Sequence, residues 1–332
     1  MSSRSLEGKH FGVVRELQNQ YAESVSPGIP KEHLERIQAR VKELMPGLMA
    51  WRERFPAIVA SRLKSATLGC VASDPGARME QHLLISQVGL LVFAVDDVAD
   101  GEIGSLSDEE IHRVLARYAE TVRAPESQSW TGSDEAECVG GAVQDVARSL
   151  HRLPGAKRFL ALWQEHFRRM CEAHSTELRD KRRAQREGAL PTLEHYLDVS
   201  RWTCGPPMYH SAALVVLGPD YAGDPLQEPL LERALVEMSL LGRWMNDVRS
   251  LERERAEGKF NGLSLLVAGG MSEAEAERFA VERAGRHLES LQEIVARLPE
   301  PLRPWGRTLI ATGHFSRMFY MRREFHHLES GG

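Results

Sequence analysis

The chain has 332 residues, 42% hydrophobic and 27% charged, enough for one large domain or two modest ones with a well-formed core. Lysine and arginine total 42 against 47 aspartates and glutamates, a formal charge of -5, so no general basic field draws it to a nucleic-acid backbone. Cys70, Cys138, Cys171 and Cys204 are far apart and form no CxxC pair, which argues against a disulfide framework and fits a reduced, cytoplasmic compartment.

In chain order, the N-terminal MSSRSLEGKHFGVV lacks a cationic segment leading into a long apolar one, so no signal peptide is expected. Residues 1–25 are expected to be a partly flexible segment. In KEHLERIQARVKELMPGLMAWRERF, Leu34, Ile37, Val41, Leu44, Met45 and Leu48 recur at three- and four-residue steps, which predicts a helix with one apolar stripe. Further helical patterns cover SDEEIHRVLARYAETV, AKRFLALWQEHFRRMCEAHSTELRDKRRAQRE, LERALVEMSLLGRWMNDVRSLERERAEG, SEAEAERFAVERAGRHLESLQEIVARL and RTLIATGHFSRMFYMRREF. Breakers separate them at Pro125 through Asp134, Gly188 to Pro191, Gly218 to Pro229, Gly269-Gly270 and Pro299 to Pro304. No period-2 alternation is sustained, and Asn261-Gly262 lies between helical patterns rather than between strands. No stretch reaches about 18 apolar residues without charge, so no membrane span is expected. The economical reading is one all-α domain of roughly ten helices over residues 26–325, with a flexible tail at 326–332.

Two stretches carry chemistry. LLVFAVDDVAD, residues 90–100, runs six apolar residues into Asp96, Asp97 and Asp100. On a helix Asp96 and Asp100 lie about 40° apart and share a face, while Asp97 is displaced by about 100°. Like charges four apart repel, and Gly101 puts them at the negative end of the helix dipole. Such a cluster is either a solvated helix end or a cation site. In GRWMNDVRSLERERAEGKFNGLSLL, Asn246, Ser250 and Glu254 fall within about 80° of one face. An amide oxygen, a hydroxyl and a carboxylate suit a hard ion such as Mg²⁺ and suit zinc poorly. The alternative is an outward polar face, against which the flanking Leu240, Leu241, Trp244, Met245 and Val248 weigh.

DDVAD resembles the aspartate-rich DDxxD motif of class I terpene synthases, and NDVRSLERE matches their second metal motif, NDxxSxxxE, at every defining position. PTLEHYLDVSRWTCG, residues 191–205, resembles a bacterial terpene synthase segment in which a Pro-led helix carries a tyrosine, then a diphosphate-sensing arginine, and breaks at a glycine four residues later. The resemblance spans roughly residues 50–320 and implies a class I helical bundle around a central cavity. It implies three Mg²⁺ ions held by Asp96, Asp97, Asp100, Asn246, Ser250 and Glu254. It places the sensing arginine at Arg201, the linker at Cys204 and the helix break at Gly205, with Arg253 as a further basic contact and Phe93 as a cavity aromatic. Many bacterial members close an Arg-Tyr pair over the diphosphate; here two residues separate Arg317 from Tyr320, and Arg322 competes with Arg317. The run TELRDKRRAQRE reads as a solvated helix end, and His166, His174, His326 and His327 are given no ligand role.

The activity this implies is Mg²⁺-dependent ionisation of a prenyl diphosphate and cyclisation of the allylic cation to a terpene hydrocarbon or alcohol, with release of diphosphate. The aliphatic flank at Val92 favours geranylgeranyl over farnesyl diphosphate. A pre-cyclised C20 diphosphate, a chain-elongating prenyltransferase and a non-catalytic helical scaffold stay open. An elongating enzyme normally repeats DDxxD on the second side, and a scaffold would release no diphosphate. The resemblance also allows a homodimer, since many relatives pair through exposed helical faces.

Overall fold

The computed structural model describes residues 31–73 and 76–321. The segments expected to be flexible, 1–25 and 326–332, lie outside the described residues, as do Arg322, His326, His327 and the ends of the expected domain. Twelve α-helices and two short 3₁₀ turns account for all regular structure among the described residues, and no strand occurs there.

The helices are α1 (Lys31–Arg54), α2 (Arg62–Ser73), α3 (Met79–Ala99), α4 (Asp108–Arg123), α5 (Glu135–His151), α6 (Ala156–Glu187), α7 (Leu193–Thr203), α8 (Pro206–Leu217), α9 (Pro229–Glu257), α10 (Gly262–Ala268), α11 (Glu273–Arg297) and α12 (Arg303–Tyr320). Local signals start and stop them. Ser107 caps α4 and Ser272 caps α11, each in a reciprocal pair with the glutamate three residues on, which satisfies backbone N–H groups the helix itself leaves without partners. The 32-residue α6 ends where Gly188 turns left-handed at φ 69°.

Four helices exceed what periodicity reveals. α8, PPMYHSAALVVL, is buried on nearly every side, so it carries no stripe to detect. α2, α5 and α10 are short or interrupted by glycines. α3 is long and apolar enough to cross a membrane, with mean hydropathy 1.6, but 72% of that window is buried inside the bundle, where it serves as the central core helix.

A large core cluster joins α1 to α6 with α8, the first half of α9 and α12, anchored by Trp163, Phe159, Phe167, Tyr118 and Trp305. A smaller cluster packs the second half of α9 against α10 and the start of α11 through Trp244, Met245 and Leu263. α9 packs on α11 and α12, and α6 packs on α4, α7 and α8. These helices ring a cavity of about 490 Å³, onto which both acidic motifs open.

Candidate active site

α3 brings Asp96 and Asp100 to one wall of the cavity and α9 brings Asn246 and Glu254 to another. Asp96 is half-buried, and burial together with the charges of Asp100 and Asp97 holds its carboxyl well above the usual carboxylate range. His174 Nδ1 lies 3.9 Å from Asp96 Oδ1. Burial pushes His174 down to about 4, so the imidazole is neutral there.

Asp97 does not reach the cavity. Its side chain is buried against Arg62, Nη2 donating to Oδ1 at 2.9 Å, and its backbone carbonyl accepts from Glu102 and Ile103. Of the two roles expected for it, ligand or buttress, the contacts favour the buttress: the displacement of about 100° from Asp96 turns it toward α2, where it neutralises a buried guanidinium and fixes the loop after α3. Arg62 also stands 5.1 Å from the centroid of the Phe93 ring, and Phe93 lines the cavity as expected.

On α9, Arg243 organises the second motif. It donates to Asn246 Oδ1 at 2.7 Å, to Asp247 Oδ1 at 2.6 Å and to Glu254 Oε1 at 3.4 Å. Asp247, with no exposed surface, also accepts from the Tyr196 hydroxyl at 2.8 Å and the Gly262 amide at 3.0 Å. Asn261 donates to Glu254 Oε2 at 2.8 Å. Ser250 is fully buried and its hydroxyl donates back to the Asn246 carbonyl at 2.8 Å, a bond within its own helix, so it does not line the cavity as expected. Arg253 does line it, pairing with Glu257 at 2.9 Å.

Arg201 sits elsewhere. α7 turns Tyr196 and Thr203 to the cavity, and Arg201 lies about 140° around from Tyr196. Its guanidinium pairs with Asp198 at 2.6 Å beside the Trp202 ring, and it is not among the residues that line the cavity. Cys204 and Gly205 do reach the cavity. Gly205 adopts φ 85°, and a Cβ there would lie 2.4 Å from Val92 Cγ1, so the break between α7 and α8 requires glycine on two counts. On α12, Tyr320 lines the cavity and Arg317, three residues before it, does not.

Residues that the motifs do not cover complete the wall. The end of α6, expected as a solvated helix end, supplies Glu177, Lys181 and Arg182 instead; His174, Glu177 and Lys181 recur at helical spacing on one face, a signal present in the sequence but masked by the surrounding charge. Thr203 donates to Glu177 at 3.0 Å, and burial pushes this carboxyl up to about 7. Lys259, just past the end of α9, pairs with Asp100 at 2.6 Å and Glu102 at 3.0 Å. Burial opposes the lysine's charge, but Asp100 and Asp96 hold it above the usual lysine range.

Among the described residues no three His, Cys, Asp or Glu side chains converge tightly enough to cage a metal by themselves. The cause is visible: Lys259 and Arg243 hold Asp100 and Glu254. The donor chemistry still fits a hard cation, since Asp96, Asp100, Asn246 and Glu254 are all oxygen donors on one cavity and Asp96 stands among like charges.

An all-helical bundle whose two acidic motifs open on one cavity has the architecture of the class I terpenoid synthases. The family model for terpene synthase family 2, C-terminal metal binding, matches residues 87–290, and the chain belongs to that family. It is 28% identical over 252 residues to the chloroplastic ent-beyerene synthase KSL2 of Oryza sativa subsp. japonica, covering 70% of this chain and 29% of that protein. It is 26% identical over 301 residues to ent-kaurene synthase-like 3 of the same plant, covering 85% and 37%. This chain thus spans well under half the length of these relatives. Among solved structures, a linalool/nerolidol synthase from Streptomyces clavuligerus superposes with a TM-score of 0.66 at 19% identity, covering 89% of this chain and 96% of that one. Isoprene synthase from grey poplar leaves, in complex with three Mg²⁺ ions and dimethylallyl-S-thiolodiphosphate, superposes with a TM-score of 0.65 at 15% identity, covering 86% and 54%. At these identities the likeness is one of fold.

Proposed function

We propose that the protein is a Mg²⁺-dependent terpene cyclase that ionises a prenyl diphosphate and cyclises the allylic cation, releasing diphosphate. The observation that carries this reading is the meeting of two oxygen-donor motifs and the cations Arg243, Arg253, Lys181 and Lys259 on a single cavity. Membership of a metal-binding terpene synthase family supports it, as does the three-Mg²⁺ complex of a protein with this fold. Asp96, Asp100, Asn246 and Glu254 would hold the cations, which supply Lewis-acid neutralisation of the leaving diphosphate.

The chain's own side chains bind and orient the diphosphate with Arg243, Arg253, Lys181 and Lys259, whose charge favours the transition state in which negative charge builds on the leaving oxygen. Phe93, Met238 and Phe315 line the same cavity and exclude water from the cation, which aromatic faces also stabilise. A C20 substrate, geranylgeranyl diphosphate, is favoured over the C15 one by the diterpene synthase relatives and by the aliphatic Val92, rather than an aromatic ring, on the cavity wall. The Pro-led segment at residues 191–205 supports a bacterial-type lineage, although the curated relatives named above are plant proteins.

The test is incubation of the purified protein with C10, C15, C20 and C25 prenyl diphosphates, with and without Mg²⁺, following diphosphate release and hydrocarbon products by mass spectrometry. A metal-dependent cyclic product from the C20 substrate alone is the expected result. Product from the C15 substrate with much higher kcat/KM overturns the chain length, and consumption of isopentenyl diphosphate indicates an elongating prenyltransferase. No release from any linear or pre-cyclised diphosphate indicates a scaffold. Asn246→Ala or Glu254→Ala should abolish release while leaving the helical content intact.

A further inference from the structure

We propose that the substrate diphosphate docks in two stages: first on Lys181, without metal, and then on Lys259 and Arg243 as Asp100 and Glu254 exchange those cations for Mg²⁺. This order rests on the cyclase reading above and names a docking contact that neither metal motif contains.

Five lysines and arginines line the cavity. Among the described residues, four of them are held by carboxylates. Arg182 pairs with Asp108 at 2.7 Å, Arg253 with Glu257 at 2.9 Å, Lys259 with Asp100 at 2.6 Å, and Arg243 with Asp247 and, at 3.4 Å, with Glu254. Lys181 makes no hydrogen bond or ion pair among the described residues. A phosphate oxygen that meets its ammonium group adds a charge-assisted hydrogen bond and breaks none. At Lys259 the same oxygen has to displace a carboxylate first, and exchanging one charged acceptor for another gains little.

The place of Lys181 in the cavity agrees with an early contact. Side-chain exposure falls from 43% at Arg182 through 19% at Lys259 to 11% at Arg243, which sets Arg182 at the rim and the other two deeper. Lys181 is the neighbour of Arg182 and is itself half-buried. Arg182 foremost, with His112 and Lys181, holds the Asp108 carboxyl below its usual range, so the Lys181 charge acts at the same rim. The bond from Arg182 to Asp108 ties the end of α6 to the start of α4 and keeps Lys181 there. Glu177, one turn earlier on the same face and about 6 Å along the axis, is within electrostatic reach of Arg243, Asp100 and Glu254. A diphosphate resting on Lys181 is therefore about one helical turn from both acidic motifs.

The second stage follows from which carboxylates hold which cations. Asp100 holds Lys259 and Glu254 holds Arg243, and both carboxylates are candidate metal ligands. When they turn to a divalent ion, Lys259 and Arg243 each lose an anion. The diphosphate waiting at the rim supplies another. Every carboxylate still faces a cation and every cation an anion, so charge stays balanced through the exchange.

The experiment is calorimetric titration with inorganic diphosphate, in EDTA and in saturating Mg²⁺, of the wild type and of Lys181→Gln, Lys181→Arg, Lys259→Gln and Arg183→Gln, each checked for helical content. Arg183 is exposed and paired with Glu187 on the same helix, so its variant removes an equal charge away from the cavity. In EDTA the wild type should bind, Lys181→Gln should bind about tenfold more weakly, and the other three should stay within about twofold of wild type. In Mg²⁺ Lys259→Gln should weaken by about tenfold as well. The proposal is overturned if the wild type binds only with Mg²⁺, if Lys181→Gln matches wild type in EDTA, or if Arg183→Gln weakens as much as Lys181→Gln. It is overturned too if Lys259→Gln loses as much without the metal as with it. A wild type that binds diphosphate in neither buffer and releases none from any prenyl diphosphate defeats the cyclase reading itself, whereas binding in Mg²⁺ alone defeats only the order.

Discussion

Lys259 Nζ lies 2.6 Å from Asp100 Oδ2, so one ammonium group ties the end of α3 to the end of α9 at the cavity. Metal ions drawn to Asp96 and Asp100 must share those carboxylates with this lysine. Lys259→Gln should therefore lower the Mg²⁺ concentration needed for half-maximal diphosphate release, since the carboxylates lose a competing cation, while raising KM for the prenyl diphosphate by about tenfold. Equal movement of both quantities in the same direction would refute this arrangement.

Asp96 and Asp97 are adjacent in sequence but differ in task. Asp96→Asn should abolish metal-dependent turnover with little change in melting temperature. Asp97→Asn leaves the buried Arg62 with only the more distant Glu102 carboxylate at 4.0 Å, a loss of up to about 3–5 kcal/mol, yet should keep activity within about tenfold at a temperature where it remains folded. Thermal unfolding alongside diphosphate release separates the two, and an inactive but fully stable Asp97→Asn would return Asp97 to the ligand set.

Gly205→Ala combines a left-handed backbone with a Cβ pressed on Val92, and should cost more than the roughly 1–2 kcal/mol of a left-handed alanine alone. Val92→Ala in the same chain should recover the contact part and leave the backbone part. A double-mutant cycle by denaturant unfolding gives a coupling of about 1 kcal/mol or more if the contact is as close as described, and near zero if it is not.

His210 and His174 are held at about 3 and about 4 by burial, against the usual 6.5. The unfolded chain binds protons on them below pH 6.5 while the fold does not, so the stability they contribute is complete above that pH and is lost as pH falls toward 4 and 3. Glu177, raised to about 7, and Asp97, raised to about 6, act in the opposite sense, since the fold keeps protons there that the unfolded chain has shed. Substitution isolates one contribution: the unfolding free energy of His210→Phe should improve relative to wild type as pH is lowered from 7 to 5, by up to about 1.4 kcal/mol per pH unit. A difference that does not move with pH would show that the site binds a proton in the fold as readily as out of it.

Much of this was legible from residue spacing. The periodicity of residues 156–187 and 272–298 predicts α6 and α11 almost to the residue, because each buries one face and leaves charge on the other. The same geometry separates Asp97 from Asp96 and Asp100, and the structure turns Asp97 toward Arg62. What spacing cannot supply is the direction a helix faces after a break. Arg201 follows from a motif, but α7 is rotated so that Tyr196 meets Asp247 while Arg201 pairs with Asp198 beside the Trp202 ring. Lys181 hides among neighbours of the same charge, and only the packing of α6 on α7 and α8 shows which of them turns inward.

The single step along α3 from Gly89 to Asp96 gives the cavity the character of a gauge. One end is a fixed stop, because a charged head group can rest only against the acidic and basic side chains there; the other is set by how far the small side chains at Gly89 and Cys70 leave the bore open. A methyl group added at Gly89 would press on the Cys70 sulfur 2.8 Å away and move that far stop inward, so the reading of the gauge can change without any alteration to the end that carries the acidic motifs.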